Sequence, residues 1–385
     1  MQITARLLLA GATLALGTAC KKEVEKIVVQ EVDKQYSWTE VKQLYGAQRF
    51  IMGMAKDANS LYLQQPSWFG VLTPSPAAPT HSLFGYGYYG VSVGPINTLV
   101  LPSDVRTRIP LGPNFFAYPY HGGDSVLLAL PTAPPLYQNQ GAEIHLRRLD
   151  PAATAFTINK SDLPFQFGAI NTADYLLVNY TTSAGFADPY LHFTLSKVNT
   201  RLGGVTADTQ LVRVPLQGGG TYAGFTTVAA IDDYFLANAF NQGIYKIKSD
   251  GSARQVFGAA AVVNYYKWQG TVYAVEGNGS KAVITSTDNG ETWQRQTGVP
   301  TYFGVSTFRP VGDSLVGITH TIATNSLYTV RWNGKSYYVR ELKNDGLGKA
   351  DFTDIVQLGD TVYLGTTSGL FKRPLNKFFE PTSKP

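Results

Sequence analysis

Short strand-like stretches recur along the chain, each opened by a polar or glycine turn residue and continued by β-branched, leucine or aromatic residues. They begin at Asn59, Asp124, Asp174, Asp233, Gly270, Asp313 and Asp360, as in Asp233-Tyr-Phe-Leu-Ala and Asp360-Thr-Val-Tyr-Leu. Successive starts lie 65, 50, 59, 37, 43 and 47 residues apart. A second marker keeps step with the first, a turn on Asp or Asn closing a later strand, at Asp150, Asn199, Asp250, Asp288, Asn333 and Asn376. Alternating or apolar runs bounded by turn formers predict β-strands, and no 3.6-residue periodicity points to a helical repeat.

Two markers sharing a period near 40–50 residues predict an all-β fold, a β-propeller built from four-stranded blades. The count of units predicts seven blades. Six, with an elaborated first unit, is the alternative, because residues 64–110 are long, irregular and rich in Pro and Gly. An open ring would leave strand edges unpaired. The last unit supplies Thr361–Gly365 and Leu370–Pro374, and Tyr36–Gln43 reads as an outer strand, so the N-terminal strand is expected to close the C-terminal blade.

The start of the chain reads differently. Met1–Arg6 is short and basic, Leu7–Ala19 is apolar or small, and Cys20 follows at once. This is the three-part layout of a secretory signal. Thirteen residues of helix reach only ~20 Å against a hydrocarbon core of ~30 Å, so cleavage is expected rather than a permanent span. The junction Leu16-Gly17-Thr18-Ala19-Cys20 resembles the lipobox of bacterial lipoproteins, with the usual leucine one place early. That resemblance implies a lipid such as palmitate on Cys20 and a lipid-anchored place in the bacterial cell envelope, at the outer membrane and facing either side of it. The expected organisation is a signal peptide at 1–19, the lipidated cysteine and a charged tether at 20–35, and a propeller at 36–385.

Lys21–Gln35 carries eight charges in fifteen residues, with Val24, Val28 and Val32 spaced by four, and reads as a short amphipathic helix or a solvated stalk. The charges directly behind the cysteine also resemble the export signal of surface lipoproteins in Bacteroidetes-type bacteria; a plain tether is the other reading. Cys20 is the sole cysteine of 385 residues, which excludes an intramolecular disulfide and a multi-cysteine zinc site.

Loss of the leader removes Arg6 and no acid, taking the formal net charge from +5 to +4. The basic residues are scattered, so no nucleic-acid footprint is indicated. Only 15% of residues are charged, while 23 Tyr, 20 Phe and 38 Gly suit many short strands with tight turns.

One motif is specific. Ser286-Thr287-Asp288-Asn289-Gly290-Glu291-Thr292-Trp293 fits Ser-x-Asp-x-Gly-x-Thr-Trp at each defined position. The Asp and hydroxyl side chains can bond turn amides, Gly290 supplies positive φ, and Trp293 can pack under the hairpin. The segment resembles the hairpin between the third and fourth strands of blades in Asp-box (BNR-repeat) propellers, which include sialidases, sortilin-type receptors and the photosystem II assembly factor. Degenerate versions stand at Arg147–Phe156, Ser249–Gly251 and Asn333–Tyr337. The resemblance implies fold, and a structural role for Ser286, Asp288, Gly290, Thr292 and Trp293.

Arg108-Ile109-Pro110 resembles the element that places the first arginine of a carboxylate-binding triad in sialidases. That chemistry also needs two further arginines, a general-acid Asp soon after, and a Tyr activated by a Glu. None of these can be placed, since Pro113–His121 holds no carboxylate. The five histidines, His81, His121, His145, His192 and His320, stand singly, without metal-ligand spacing. No nucleophile elbow, phosphate loop or dinucleotide fingerprint occurs, and no cofactor is expected.

Aromatic residues are densest at Tyr86, Tyr88 and Tyr89 and at Phe115, Phe116 and Tyr118. Such rings can form a platform for a sugar or a protein, or simply fill the space between blades. The sequence thus predicts a membrane-tethered, non-enzymatic propeller that binds or scaffolds a protein or glycan; a divergent glycan-processing hydrolase is the alternative.

Overall fold

The computed structural model describes residues 36–42, 49–51, 53–56, 58–64, 68–73, 80–85, 109–110, 116–120, 125–129, 143–156, 168–199, 204–205, 209–216, 226–239, 242–277, 282–319, 325–332, 336–348 and 350–382. The chain divides into two units, Met1–Ser37 and Trp38–Pro385, and every described strand lies in the second.

The described strands assemble into seven antiparallel sheets. The first holds β2 (Gly53–Lys56), β3 (Leu61–Gln64), β4 (Trp68–Thr73) and β5 (Thr80–Gly85), and the second holds β6 (Ile109–Pro110), β7 (Phe116–Tyr120), β8 (Ser125–Ala129) and β9 (Glu143–His145). After α1 (Leu146–Leu149), the third holds β10 (Ala153–Phe156), β11 (Gly168–Ile170), β12 (Tyr175–Thr182), β13 (Tyr190–Asn199), β14 (Gly204–Val205) and β15 (Gln210–Pro215). The fourth comprises β16 (Thr226–Ile231), β17 (Tyr234–Ala239), β18 (Gly243–Lys248) and β19 (Ala253–Phe257); the fifth, β20 (Val262–Trp268), β21 (Thr271–Glu276), β22 (Ala282–Ser286) and β23 (Gln294–Thr297). The sixth comprises β24 (Ser306–Val311), β25 (Ser314–Thr319), β26 (Leu327–Trp332) and β27 (Tyr337–Glu341). The seventh joins β28 (Phe352–Leu358), β29 (Thr361–Thr366) and β30 (Gly369–Pro374) to the N-terminal β1 (Thr39–Glu40), and α2 (Leu375–Phe378) follows.

The leading strands meet in cyclic order. β2 touches β6, β6 touches β11, and the series runs through β16, β20 and β24 to β28, which returns to β2. This closed ring of antiparallel sheets, six of four strands and one of six, is a β-propeller, the all-β architecture that the repeat predicts. β1 pairs with β30 through Thr39↔Lys372 and Glu40↔Phe371, so the expected closure by an N-terminal strand is present, confined to two residues of Tyr36–Gln43.

The turn chemistry explains the first marker. Ile231↔Tyr234, Trp268↔Thr271, Val311↔Ser314 and Leu358↔Thr361 each enclose a two-residue loop between first and second strands. Such loops demand positive φ, found at Asp232 (52°), at Gln269 (48°) with Gly270 (79°), at Gly312 (53°) and at Gly359 (55°). Asp124 departs from the pattern, preceding the third strand of its sheet. Asp150 departs too, lying between β9 of the second sheet and β10 of the third rather than between a third and a fourth strand, because β10 pairs with β12 and not with β9.

Middle strands lie between sheets on both faces, so β17 and β22 are buried at every position, whereas β15 keeps only Val212 and Val214 buried. Leu177, Leu191 and Phe193 of the third sheet pack with Phe235, Ala237 and Tyr245 of the fourth, one of the layers that fill the spaces between sheets.

Candidate functional site

The Asp288 hairpin joins the third and fourth strands of the fifth sheet, β22 and β23. Ser286 Oγ donates to Asp288 Oδ1 at 2.8 Å and accepts the Gly290 amide at 2.8 Å. Asp288 further accepts the amides of Glu291 (3.1 Å) and Thr292 (2.9 Å) and the Thr292 hydroxyl (2.5 Å). Trp293 Nε1 donates to Gly290 O at 3.1 Å, and its ring packs at the edge of the core between the fourth and fifth sheets. The bonds from Thr292, hydroxyl and amide, and from Ser286 hold the Asp288 carboxyl down at about 2.

This hairpin is clamped to the fourth sheet. The buried Lys246 of β18 donates to Asn289 O at 2.8 Å and to Glu291 Oε1 at 2.6 Å, with its ammonium 4.1 Å from the Tyr234 ring centroid. Arg254 of β19 pairs with the same Glu291. Burial pushes the Lys246 ammonium below the ordinary lysine value. Gly290 has φ 80°, and a Cβ there would stand 3.2 Å from Tyr234 Oη. The chemistry of the motif is therefore spent on holding a turn and joining two sheets.

Polar side chains of the innermost strands form a second system. Thr227 Oγ1 of β16 donates to Val262 O of β20 at 2.9 Å, and Asn264 Nδ2 of β20 donates to Ser306 O of β24 at 3.3 Å. Arg309 Nε of β24 donates to Asp354 Oδ1 of β28 at 3.0 Å, and Asp354 Oδ2 accepts the Met54 amide of β2 at 2.9 Å. Four successive junctions of the ring are tied in this way. No motif flags Arg309 or Asp354, because a single charged residue in a strand reads as solvent-facing.

A third cluster lies in the third sheet. The Asp188 carboxylate accepts the Thr182 hydroxyl, His192 Nε2 at 2.8 Å and the Tyr190 amide at 3.1 Å. Burial opposes its ionisation, yet these bonds hold it below the ordinary carboxylate value. Nearby, Tyr180 Oη donates to Asp150 Oδ2 at 2.8 Å. The carboxylate, not the imidazole, accepts the Thr182 proton, so this is a structural knot rather than a nucleophile relay.

Several residues singled out in the sequence, Cys20, Tyr86, Tyr88, Tyr89, Arg108 and Phe115, lie outside the described residues. Phe116 and Tyr118 fall in β7, in register with Ala129 and Leu127. Among the described residues no group of three or more His, Cys, Asp or Glu could hold a metal ion, and no helix is long and apolar enough to cross a membrane.

No family model matches the chain, and no curated protein matches it in sequence. Solved structures do match in fold. A catalytically inactive virginiamycin B lyase from Staphylococcus aureus, with quinupristin, is 11% identical at a TM-score of 0.52 over 88% of this chain and 98% of that one. BamB from Moraxella catarrhalis is 11% identical, TM-score 0.48, over 85% and 86%. The extracellular domain of BT4673 from B. thetaiotaomicron is 11% identical, TM-score 0.47, over 91% of this chain, which spans 44% of its length. At 11% identity the likeness to the lyase, which of these three has a TM-score above 0.5, is one of fold alone, in keeping with the all-β ring of sheets.

Proposed function

We propose that the chain is a membrane-tethered, non-enzymatic β-propeller that binds a protein or a glycan, or scaffolds an assembly of them, in the bacterial cell envelope. The observation that carries this reading is the engagement of the innermost strands: Thr227, Asn264, Arg309 and Asp354 each bond the neighbouring sheet. Polar groups used between strands make a stiff ring that presents its loops as a surface. The aromatic positions Tyr86, Tyr88, Tyr89, Phe115, Phe116 and Tyr118 are the proposed ligand platform, and Cys20 carries the lipid.

Two measurements on the full chain test the two halves of the proposal. Labelling of cells with an alkyne analogue of palmitate should mark the protein, and Cys20→Ala should lose both the label and the membrane fraction. In-cell crosslinking should capture a protein or glycan, and Tyr86→Ala with Tyr88→Ala and Tyr89→Ala should reduce that capture. Release of sialic acid from a fluorogenic sialoside, abolished by Arg108→Ala, would overturn the non-enzymatic reading in favour of a hydrolase.

A further inference from the structure

The closing strand is short for its task. β1 contributes two residue pairs to β30, extended by the Val41 amide donating to Leu370 O at 2.8 Å. A ladder of this length is a marginal seal by itself.

The end of the chain supplies the rest. After β30, α2 packs on β29 and β30, and residues 379–382 run along the sixth sheet. The Lys343 amide donates to Glu380 O at 3.0 Å, the Thr382 amide to Glu341 O at 3.3 Å, and Leu342 bridges Pro381. Arg340 also donates to Phe379 O. The two termini meet at one backbone oxygen. Lys343 O accepts Trp38 Nε1 at 3.2 Å from the N-terminal side and Arg373 Nη1 at 2.9 Å from β30. Arg373 is 1% exposed, and its other terminal nitrogen donates to Glu380 Oε2 at 2.7 Å. The Trp38 ring lies edge-on to Phe378 of α2 at 6.0 Å.

We infer that Leu375–Thr382 is a C-terminal strap that locks the N-terminal closing strand through Glu380, Arg373, the Lys343 carbonyl and Trp38. Glu380 and Asp345 are the carboxylates near the buried guanidinium, and Glu380 is the one that accepts its hydrogen bond. Without Glu380 the guanidinium loses that hydrogen bond and part of its counter-charge, which loosens its hold on the carbonyl it shares with the indole. The strap thereby couples the C-terminal segment to the closing strand at residues 38–41. The inference does not depend on the lipid at Cys20.

Amide hydrogen exchange on the full chain tests it. In Glu380→Ala, and in a chain ending at Phe379, exchange across residues 36–42 should accelerate about tenfold or more, while residues 234–239 of the fourth sheet stay within about twofold of the parent. In an Arg373→Met background, which removes the buried charge, Glu380→Ala should add nothing at residues 36–42. No acceleration there, equal acceleration in both segments, or an undiminished effect of Glu380→Ala in the Arg373→Met chain overturns the strap.

Discussion

Arg309 on β24 and Asp354 on β28 form an ion pair at 3.0 Å across two innermost strands, with side chains 34% and 4% exposed. The second carboxylate oxygen takes the Met54 amide of β2, so one side chain fastens three successive sheets at the seam where the ring closes.

Asp354→Ala should therefore destabilise the propeller by about 2–3 kcal/mol, below the ~3–5 kcal/mol of a fully buried pair because Arg309 can rehydrate. Arg309→Ala should cost less, since Asp354 keeps the amides of Met54 and Ile355. Urea unfolding midpoints read both. Equal effects would show that the amide contacts of Asp354 contribute little.

The Asp288 carboxyl sits at about 2 in the folded chain, below the ~3.9 of an unfolded aspartate. A depressed folded value stabilises above the unfolded value, and the gain is lost as pH falls through the folded one. Asp288→Asn should lower the melting temperature at about pH 6, and the gap to the parent should close towards about pH 2. A gap independent of pH would place the effect in the geometry of the turn rather than its charge.

Lys246 holds its ammonium 4.1 Å from the Tyr234 ring centroid and donates it to the hairpin of the next sheet. Lys246→Met keeps the stem and should cost less than Lys246→Ala. A double-mutant cycle with Glu291→Gln should return a coupling of ~1 kcal/mol or less, because Glu291 is 41% exposed.

Gly290→Ala combines positive φ with a Cβ at 3.2 Å from Tyr234 Oη, and should cost ~1 kcal/mol or more. Tyr234→Phe removes that oxygen and should recover part of the loss. Calorimetry on the two variants and their combination reads the recovery.

Burial alone pushes the Tyr265 phenol well above its ordinary value, and burial with neighbouring tyrosines does the same for Tyr266. For an acid whose folded value is raised, stability falls as pH climbs past the unfolded value near 10. In an alkaline titration followed by phenolate absorbance, these two should ionise only as the chain unfolds. Tyr265→Phe and Tyr266→Phe should each remove amplitude from that late phase.

Much of the fold is legible in residue order. Asp233, Gly270, Asp313 and Asp360 mark the turns between first and second strands because each sits in a two-residue loop whose positive φ falls on Gly270 itself or on the residue before, Asp232, Gly312 and Gly359, and the strands beyond are buried. Asp250 and Asp288 stand in turns between third and fourth strands, just before the positive-φ residues Gly251 and Asn289 with Gly290, while Asn333 lies outside the described residues. Where the text is irregular the marker slips. Asp150 resembles a hairpin residue, yet its carboxylate accepts the Ala152 amide at 3.0 Å and the Tyr180 hydroxyl in a link between sheets. Strand pairing there is chosen between sheets, and local turn chemistry carries no information about it.

The sequence alone determined the all-β repeat, the place of the turns, the chemistry of the Asp288 hairpin and closure by a strand before residue 43. These depend on alternation and on residues within a few positions of one another. Only the tertiary structure decided that Arg309, Asp354, Lys246 and Arg373 are tied or buried, since none of them belongs to a motif and each stands in an otherwise ordinary strand. Their partners are distant in sequence: Asp354 bonds Met54 and Arg309, and Arg373 shares the Lys343 carbonyl with Trp38. A charge can be kept inside a protein only where folding brings a counter-charge or acceptor to it, and that meeting is a property of the ring rather than of any segment.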